Sequence, residues 1–181
     1  PHIKLSMGTV LPVGLWGEKE YFDLEIKEPL DKDDFIQRMN QVLPEGVVIN
    51  NCLVMTEKPL AIMRIINAAS YVFVVDKGFN LDSIKDNLLT SDRLMVKSRG
   101  KKKDIDKDLK LGLYNIDVKS EENFDIMEMW VASGQPINIR YDELLDLLNM
   151  SGLEAAITDV YRKGNYVRVE EEFYSLLEKV K

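Results

Sequence analysis

An α+β fold of two tandem ferredoxin-like (split βαβ) units, the first lacking its opening strand and helix, follows from three observations. Short period-2 segments and helical-period segments alternate along the whole chain. Residues 71 to 161 read strand, helix, strand, strand, helix, strand, with a basic hairpin near residue 100 between paired strands. Residues 3 to 55 read strand, strand, helix, strand, which is the same plan without its first two elements. An internal echo links the halves. Phe22-Asp23-Leu24-Glu25-Ile26, an acidic-capped helix and Gly46-Val47-Val48 resemble Phe124-Asp125-Ile126-Met127-Glu128-Met129, a second acidic-started helix and Gly152-Leu153. The expected units span 1–58 and 59–169, with a terminal helix over 170–181. One irregular α+β domain is the alternative reading.

Each element has a local reason. Ile3, Leu5 and Met7 alternate with Lys4 and Ser6, as in a half-buried strand. Gly8, Pro12 and Gly14 punctuate a loop. Phe22, Leu24 and Ile26 face one way and Asp23, Glu25 and Lys27 the other, until Pro29 stops the strand. Asp31, Asp33 and Asp34 suit an N-cap and first turn, because their carboxylates satisfy free N–H groups and oppose the helix dipole. Phe35, Ile36, Met39, Val42 and Leu43 then recur at helical spacing. After Pro44-Glu45-Gly46, Val47 to Thr56 reads as a strand.

Leu60 to Ala69 reads as a short helix, and Tyr71 to Val75 is the clearest strand, apolar enough to be buried on both faces. Leu81 to Leu89 is helical and Leu94 to Lys97 is a strand. Leu111 to Lys119 and Phe124 to Ala132 are strands joined by a polar turn. A helix over Asp142 to Met150 carries the Leu144-Leu145-Leu147-Leu148 face. Leu153 to Tyr161 and Tyr166 to Val169 are strands separated by a Gly164-Asn165 turn, and Glu170 to Lys181 closes as a helix.

Composition excludes several chemistries. With one cysteine, Cys52, no intrachain disulfide forms, and no thiolate set for zinc or an iron–sulfur cluster exists in this sequence. Histidine chemistry rests on His2 alone, and no cofactor is expected. No GxGxxG, Walker or GxSxG motif is present. No stretch reaches the roughly 18 apolar residues of a membrane span, and no signal peptide is visible, so a cytoplasmic protein without membrane contact is expected. A strand-like segment that starts directly behind Pro1 reads as the start of a fragment.

The net charge is −7, yet Lys97-Ser98-Arg99-Gly100-Lys101-Lys102-Lys103 places five cations in seven residues. Such a run can neutralise backbone phosphates, or it can serve as a solvated hairpin tip. Asp104, Asp106 and Asp108 follow at once and offset it. Tyr161-Arg162-Lys163-Gly164-Asn165-Tyr166 mixes cations with aromatics, as RNA-binding surfaces do, and is also an ordinary turn signal. Cys52 alternates with apolar neighbours and reads as a small buried hydrophobe. Asp31, Asp33 and Asp34 can in principle hold a cation, but capping accounts for them.

Pro1-His2-Ile3-Lys4-Leu5-Ser6, Leu11-Pro12-Val13-Gly14 and Glu20-Tyr21-Phe22-Asp23-Leu24 resemble the bacterial radical-SAM-linked protein family. So do Leu43-Pro44-Glu45-Gly46, Ala68-Ala69-Ser70-Tyr71 and Lys101-Lys102-Lys103-Asp104-Ile105-Asp106. The resemblance implies a domain of unknown function encoded beside, or fused to, a radical S-adenosylmethionine (SAM) protein. It further implies an accessory role in RNA modification or processing, with the radical chemistry on the partner, in cis or in trans. On that basis the chain is expected to be a binding module that is not catalytic alone. Pro1, His2, Lys4, Pro12 and Gly14 are its expected partner or substrate surface. Lys97, Arg99, Lys101, Lys102 and Lys103 are its expected phosphate contacts. An RNA-processing enzyme on the same scaffold and a pure protein-interaction module are the alternatives.

Overall fold

The computed structural model describes residues 4–55, 60–99 and 104–179. Its architecture is α+β, mostly sheet with few helices. In the first segment, β1 (Lys4–Met7), β2 (Trp16–Gly17) and β3 (Phe22–Glu25) precede α1 (Lys32–Asn40). β1 and β3 pair antiparallel, with Leu5 opposite Leu24. Asp31 caps α1: its carboxylate accepts from Asp33 N at 2.9 Å and Asp34 N at 3.3 Å. Phe35, Ile36 and Met39 form the half-buried face of that helix.

The strand expected over Val47 to Thr56 does not form in its described residues, 47–55. Alternation supplies a face but no partner, and here an amide side chain takes the place of one. Asn40 accepts from Ile49 N at 2.8 Å and donates to Ile49 O at 3.0 Å, so Ile49 is buried while Val47 and Val48 stay exposed. Cys52 is half-buried with its thiol toward Lys32 O, and burial pushes that thiol up from its ordinary pKa.

The second segment builds the main sheet. α2 (Ile62–Ile65) is shorter than the helix expected to Ala69, because Ala68 and Ala69 already belong to β4 (Ala68–Asp76). There follow α3 (Leu81–Thr90), β5 (Met95–Ser98), β6 (Ile105–Asp108), β7 (Leu113–Ser120) and β8 (Phe124–Ala132). α4 (Tyr141–Leu148) runs into a π turn, where Gly152 at φ 90° takes the left-handed backbone that ends the helix. β9 (Ile157–Val169), β10 (Glu172–Tyr174) and α5 (Leu176–Lys179) complete the described chain.

Two expectations change here. β9 is one 13-residue strand, and the Gly164-Asn165 turn is absorbed as a bulge between the Ser70 and Tyr71 pairings, with Lys163 as the extra residue. In place of a helix from Glu170, the chain turns back at Glu170 (φ 57°) and adds β10 to the sheet. Only Leu176–Lys179 is helical among the described residues that follow.

The sheet runs β10-β9-β4-β8-β7, each neighbouring pair antiparallel, and β2 adds parallel to β9. Each helical connection joins strands that are not neighbours. β8 lies between β4 and β7, and β4 lies between β8 and β9. One face is covered. Tyr71, Phe73 and Val75 of β4 and Met127, Met129 and Val131 of β8 pack with Leu81 and Leu88 of α3 and with Leu144, Leu147 and Leu148 of α4. Burying each such large apolar side chain stabilises the fold by about 1.5–3 kcal/mol. The β5–β6 hairpin closes the same side through Leu94, Val96 and Leu109. The opposite face of β4 carries Ala68, Ser70 and Val72, paired with Ala132, Trp130 and Glu128.

Asp125, at the start of β8, accepts from Lys77 Nζ and Ser120 Oγ, each at 2.7 Å. Both donors hold its carboxyl below the usual range, Lys77 first. The folded pKa therefore lies below the unfolded value of about 3.9. The stabilisation is complete above that value and disappears as pH falls through the lowered one. Urea midpoints of the wild type and Asp125→Asn are expected to differ at neutral pH and to converge on acidification. A gap independent of pH would overturn this assignment.

Candidate functional site

Residues 8–20 form a strap around the β9 edge of the sheet. Leu15 enters the core, while Trp16 pairs in register with Tyr161 and stacks on it at 4.1 Å, the planes 17° apart. Asp159 accepts from the Trp16 indole Nε1–H at 3.3 Å and fixes the ring. Gly14, at φ 91°, forms the exposed tip. Val10 is 82% and Val13 102% exposed.

Arg162 clamps this strap from beneath. It is 2% exposed and donates through Nε and Nη2 to the two Glu20 oxygens at 2.7 and 2.6 Å. It also donates to Val10 O at 3.1 Å and Thr9 O at 3.2 Å. Asn165 donates to Glu20 and accepts from Thr9 Oγ1 at 2.7 Å. Burial works against the guanidinium charge, but the Glu20 pair and the nearby Tyr71 outweigh it, and its pKa is raised. Burial raises the Tyr71 phenol as well. The strap also borders a groove of about 360 Å³ whose lining includes Gly14, Tyr141, Asn149, Glu154 and Asp159.

The basic hairpin is anchored by a buried carboxylate. Glu143 of α4 is 0% exposed and accepts from Ser98 Oγ at 2.5 Å, Lys107 Nζ at 2.7 Å and Arg140 N at 2.9 Å. Lys107 also donates to Asn138 O. Alternation along β5 buries Val96 and Ser98 and turns Lys97 and Arg99 outward. Lys97 is paired with Asp106 at 2.5 Å, and that bond raises its pKa.

The open face of the sheet gathers aromatics. Trp130 meets Phe173 at 4.6 Å and Tyr166 at 5.0 Å, and Arg168 lies 4.1 Å over the Tyr114 ring. They close over the small side chains Ala68 and Ser70, both 0% exposed. Lys163 crosses the same face to Glu128 Oε2 at 2.6 Å. Burial opposes its charge, but Glu128 outweighs burial and the ammonium pKa is raised.

Pro1, His2, Lys101, Lys102 and Lys103 lie outside the described residues. Lys4 is exposed on β1 and bonds Glu25 at 2.9 Å. Pro12 and Gly14 share the strap, and Lys97 and Arg99 share the outer side of β5. The segment 161–166 splits between faces: Arg162 and Asn165 pair with Tyr71 and Ala69 on the helix side, while Tyr161 and Tyr166 pair with Val72 and Ala68 on the open side. Sequence reading missed Glu20, Trp16, Glu128 and Glu143. A carboxylate inside the Phe124 to Ala132 strand, between Met127 and Met129, was the available signal for Glu128.

Residues 1–141 match the model of a family described as uncharacterized protein conserved in bacteria (DUF2344). No curated protein and no solved structure matches the chain.

Proposed function

The chain belongs to the DUF2344 family of uncharacterized proteins conserved in bacteria, and we propose that it is a binding module that holds RNA for a radical-SAM partner protein. One observation carries the RNA half of this reading. α3, α4 and the β5–β6 hairpin all pack on one face of the sheet, which leaves the other face presenting Trp16, Tyr161, Trp130 and Lys163. Aromatic side chains on an open sheet suit the stacking of single-stranded bases. The partner is the one the family resemblance implies, and the clamped strap gives it a preformed apolar contact in Val10 and Val13. The interleaved strand order of 68–169 supports reading that segment as a split βαβ unit. In our reading β1, β3 and α1 belong to the truncated first of two tandem ferredoxin-like units, 1–58, and the second unit spans 59–169.

On the helix-bearing side of the sheet, the hairpin supplies a separate set of phosphate contacts in this proposal through Arg99, Lys101, Lys102 and Lys103. Lys97 contributes less, since Asp106 already neutralises it. A filter-binding titration against single-stranded RNA, repeated across salt concentrations, tests the assignment. Changing those four residues to Ala is expected to weaken binding and to flatten the salt dependence by about 0.7 log units for each phosphate that is no longer neutralised. Salt-insensitive binding, or a variant that binds like the wild type, would overturn it. Co-purification with the radical-SAM partner from nuclease-treated lysate tests the other half. Loss of the association on nuclease treatment would replace direct docking with an RNA bridge.

A further inference from the structure

The open face holds a carboxylate, Glu128, that neither hairpin nor strap uses. Register places Trp16, Tyr161, Val72 and Glu128 in one row across β2, β9, β4 and β8, with Ser70 and Trp130 in the next row. Val72, at 2% exposure, forms the floor, while Ser70, at 0%, lies under the Trp130 cluster. The Trp16–Tyr161 stack stands on one side of it and Trp130 on the other. Glu128 is 9% exposed, and while Oε2 is held by Lys163, Oε1 has no hydrogen-bond partner. Ser70 Oγ lies beside the Tyr166 phenol without a hydrogen bond of good geometry.

Among the described residues four fully buried side-chain polar atoms lack a partner. Three of them, Ser70 Oγ, Glu128 Oε1 and Arg168 Nε, belong to side chains of this face. Buried polar atoms are nearly always bonded, so such a concentration marks a surface that a ligand's own polar groups complete.

We infer that this face binds an amino-bearing base of single-stranded RNA, with its exocyclic amine on Glu128 and its ring against the Tyr161 and Trp130 side chains. The inference rests on the RNA-binding reading above. Access needs one side-chain movement. Lys163 is 39% exposed and held by one ion pair, so it swings outward as the base enters. The amine takes the place of the ammonium on Glu128, and the ammonium meets the phosphate that the nucleotide brings. A simple amine ligand offers Lys163 no such phosphate, which favours a nucleotide. Uracil puts its O4 carbonyl where cytosine puts its amine, and a carbonyl oxygen facing a carboxylate is repelled.

Both of the chain's two tryptophans, Trp16 and Trp130, flank this floor, so intrinsic fluorescence reports base contact directly. Titrating the full chain with six-nucleotide oligo(C) and oligo(U) RNA is expected to give quenching and about tenfold tighter binding of oligo(C). Glu128→Gln is expected to abolish that preference, bringing oligo(C) and oligo(U) to equal affinity. Trp16→Phe should reduce the quench. Equal wild-type affinities, or a Glu128→Gln protein that still prefers oligo(C), would overturn the inference and leave the RNA reading standing. If neither oligomer binds, both fall. The wild-type comparison decides the matter even where a variant folds poorly.

Discussion

Arg162→Met is expected to destabilise the protein by about 3–5 kcal/mol, the range for removing one partner of a buried ion pair. The guanidinium is 2% exposed, and its loss leaves the Glu20 carboxylate with Asn165 as its remaining donor and two backbone carbonyls without theirs. The Glu20 side chain is 24% exposed and can recover some hydration, which places the expectation near the lower end. Arg162→Lys should be nearly as damaging, because an ammonium cannot reproduce a planar fork spanning Glu20 and two carbonyls. Urea denaturation gives the stability change. Limited proteolysis gives its location, since cleavage within residues 9–17 should accelerate before the sheet unfolds. A urea midpoint equal to that of the wild type would show that the strap is held by Leu15 and the Trp16–Tyr161 stack alone.

The clamp also shows where reading the chain stops. Apolar runs and alternation located β1, β3, β4, β5 and β8, and Asp31 located the start of α1, because these signals are local. Arg162 sits in a segment that reads as a turn, and its partner Glu20 is 142 positions away. No spacing rule joins them. The Gly164-Asn165 signal was real but was spent on a bulge, because β4 supplies a partner strand on both sides of it. Val47 to Met55 failed in the opposite sense: its alternation was genuine, yet no strand pairs with it among the described residues. At the C-terminal end, Phe173 finds Trp130 and Tyr166, and that packing outweighs helix propensity.

The basic run was legible as charge but not as geometry. What orients the β5–β6 pair beside it is Glu143, which reads in sequence as an ordinary acidic residue in the first turn of a helix. Folded, it is 0% exposed and joins α4 to both strands of the hairpin through Ser98 on β5 and Lys107 on β6. Glu143→Ala removes the acceptor for three donors at once. Lys107 is the charge left behind, and its side chain is only 20% exposed. We expect a loss of about 3 kcal/mol, the lower limit for breaking a buried pair, since Lys107 keeps some contact with water. Glu143→Gln keeps a hydrogen-bonding group of the same shape and should cost less than the alanine variant.

Amide hydrogen exchange separates a local effect from a global one. Amides of Met95–Ser98 and Ile105–Asp108 should exchange far faster in Glu143→Ala, while those of β4 and β8 should change only as much as global stability does. RNA affinity should fall in the same variant although no cation has been removed, because Arg99 loses the strand that orients it. If the hairpin amides keep their protection, Leu94, Val96 and Leu109 suffice to hold it and the buried carboxylate is not its anchor. If protection is lost and RNA affinity is unchanged, the hairpin does not carry the phosphate contacts.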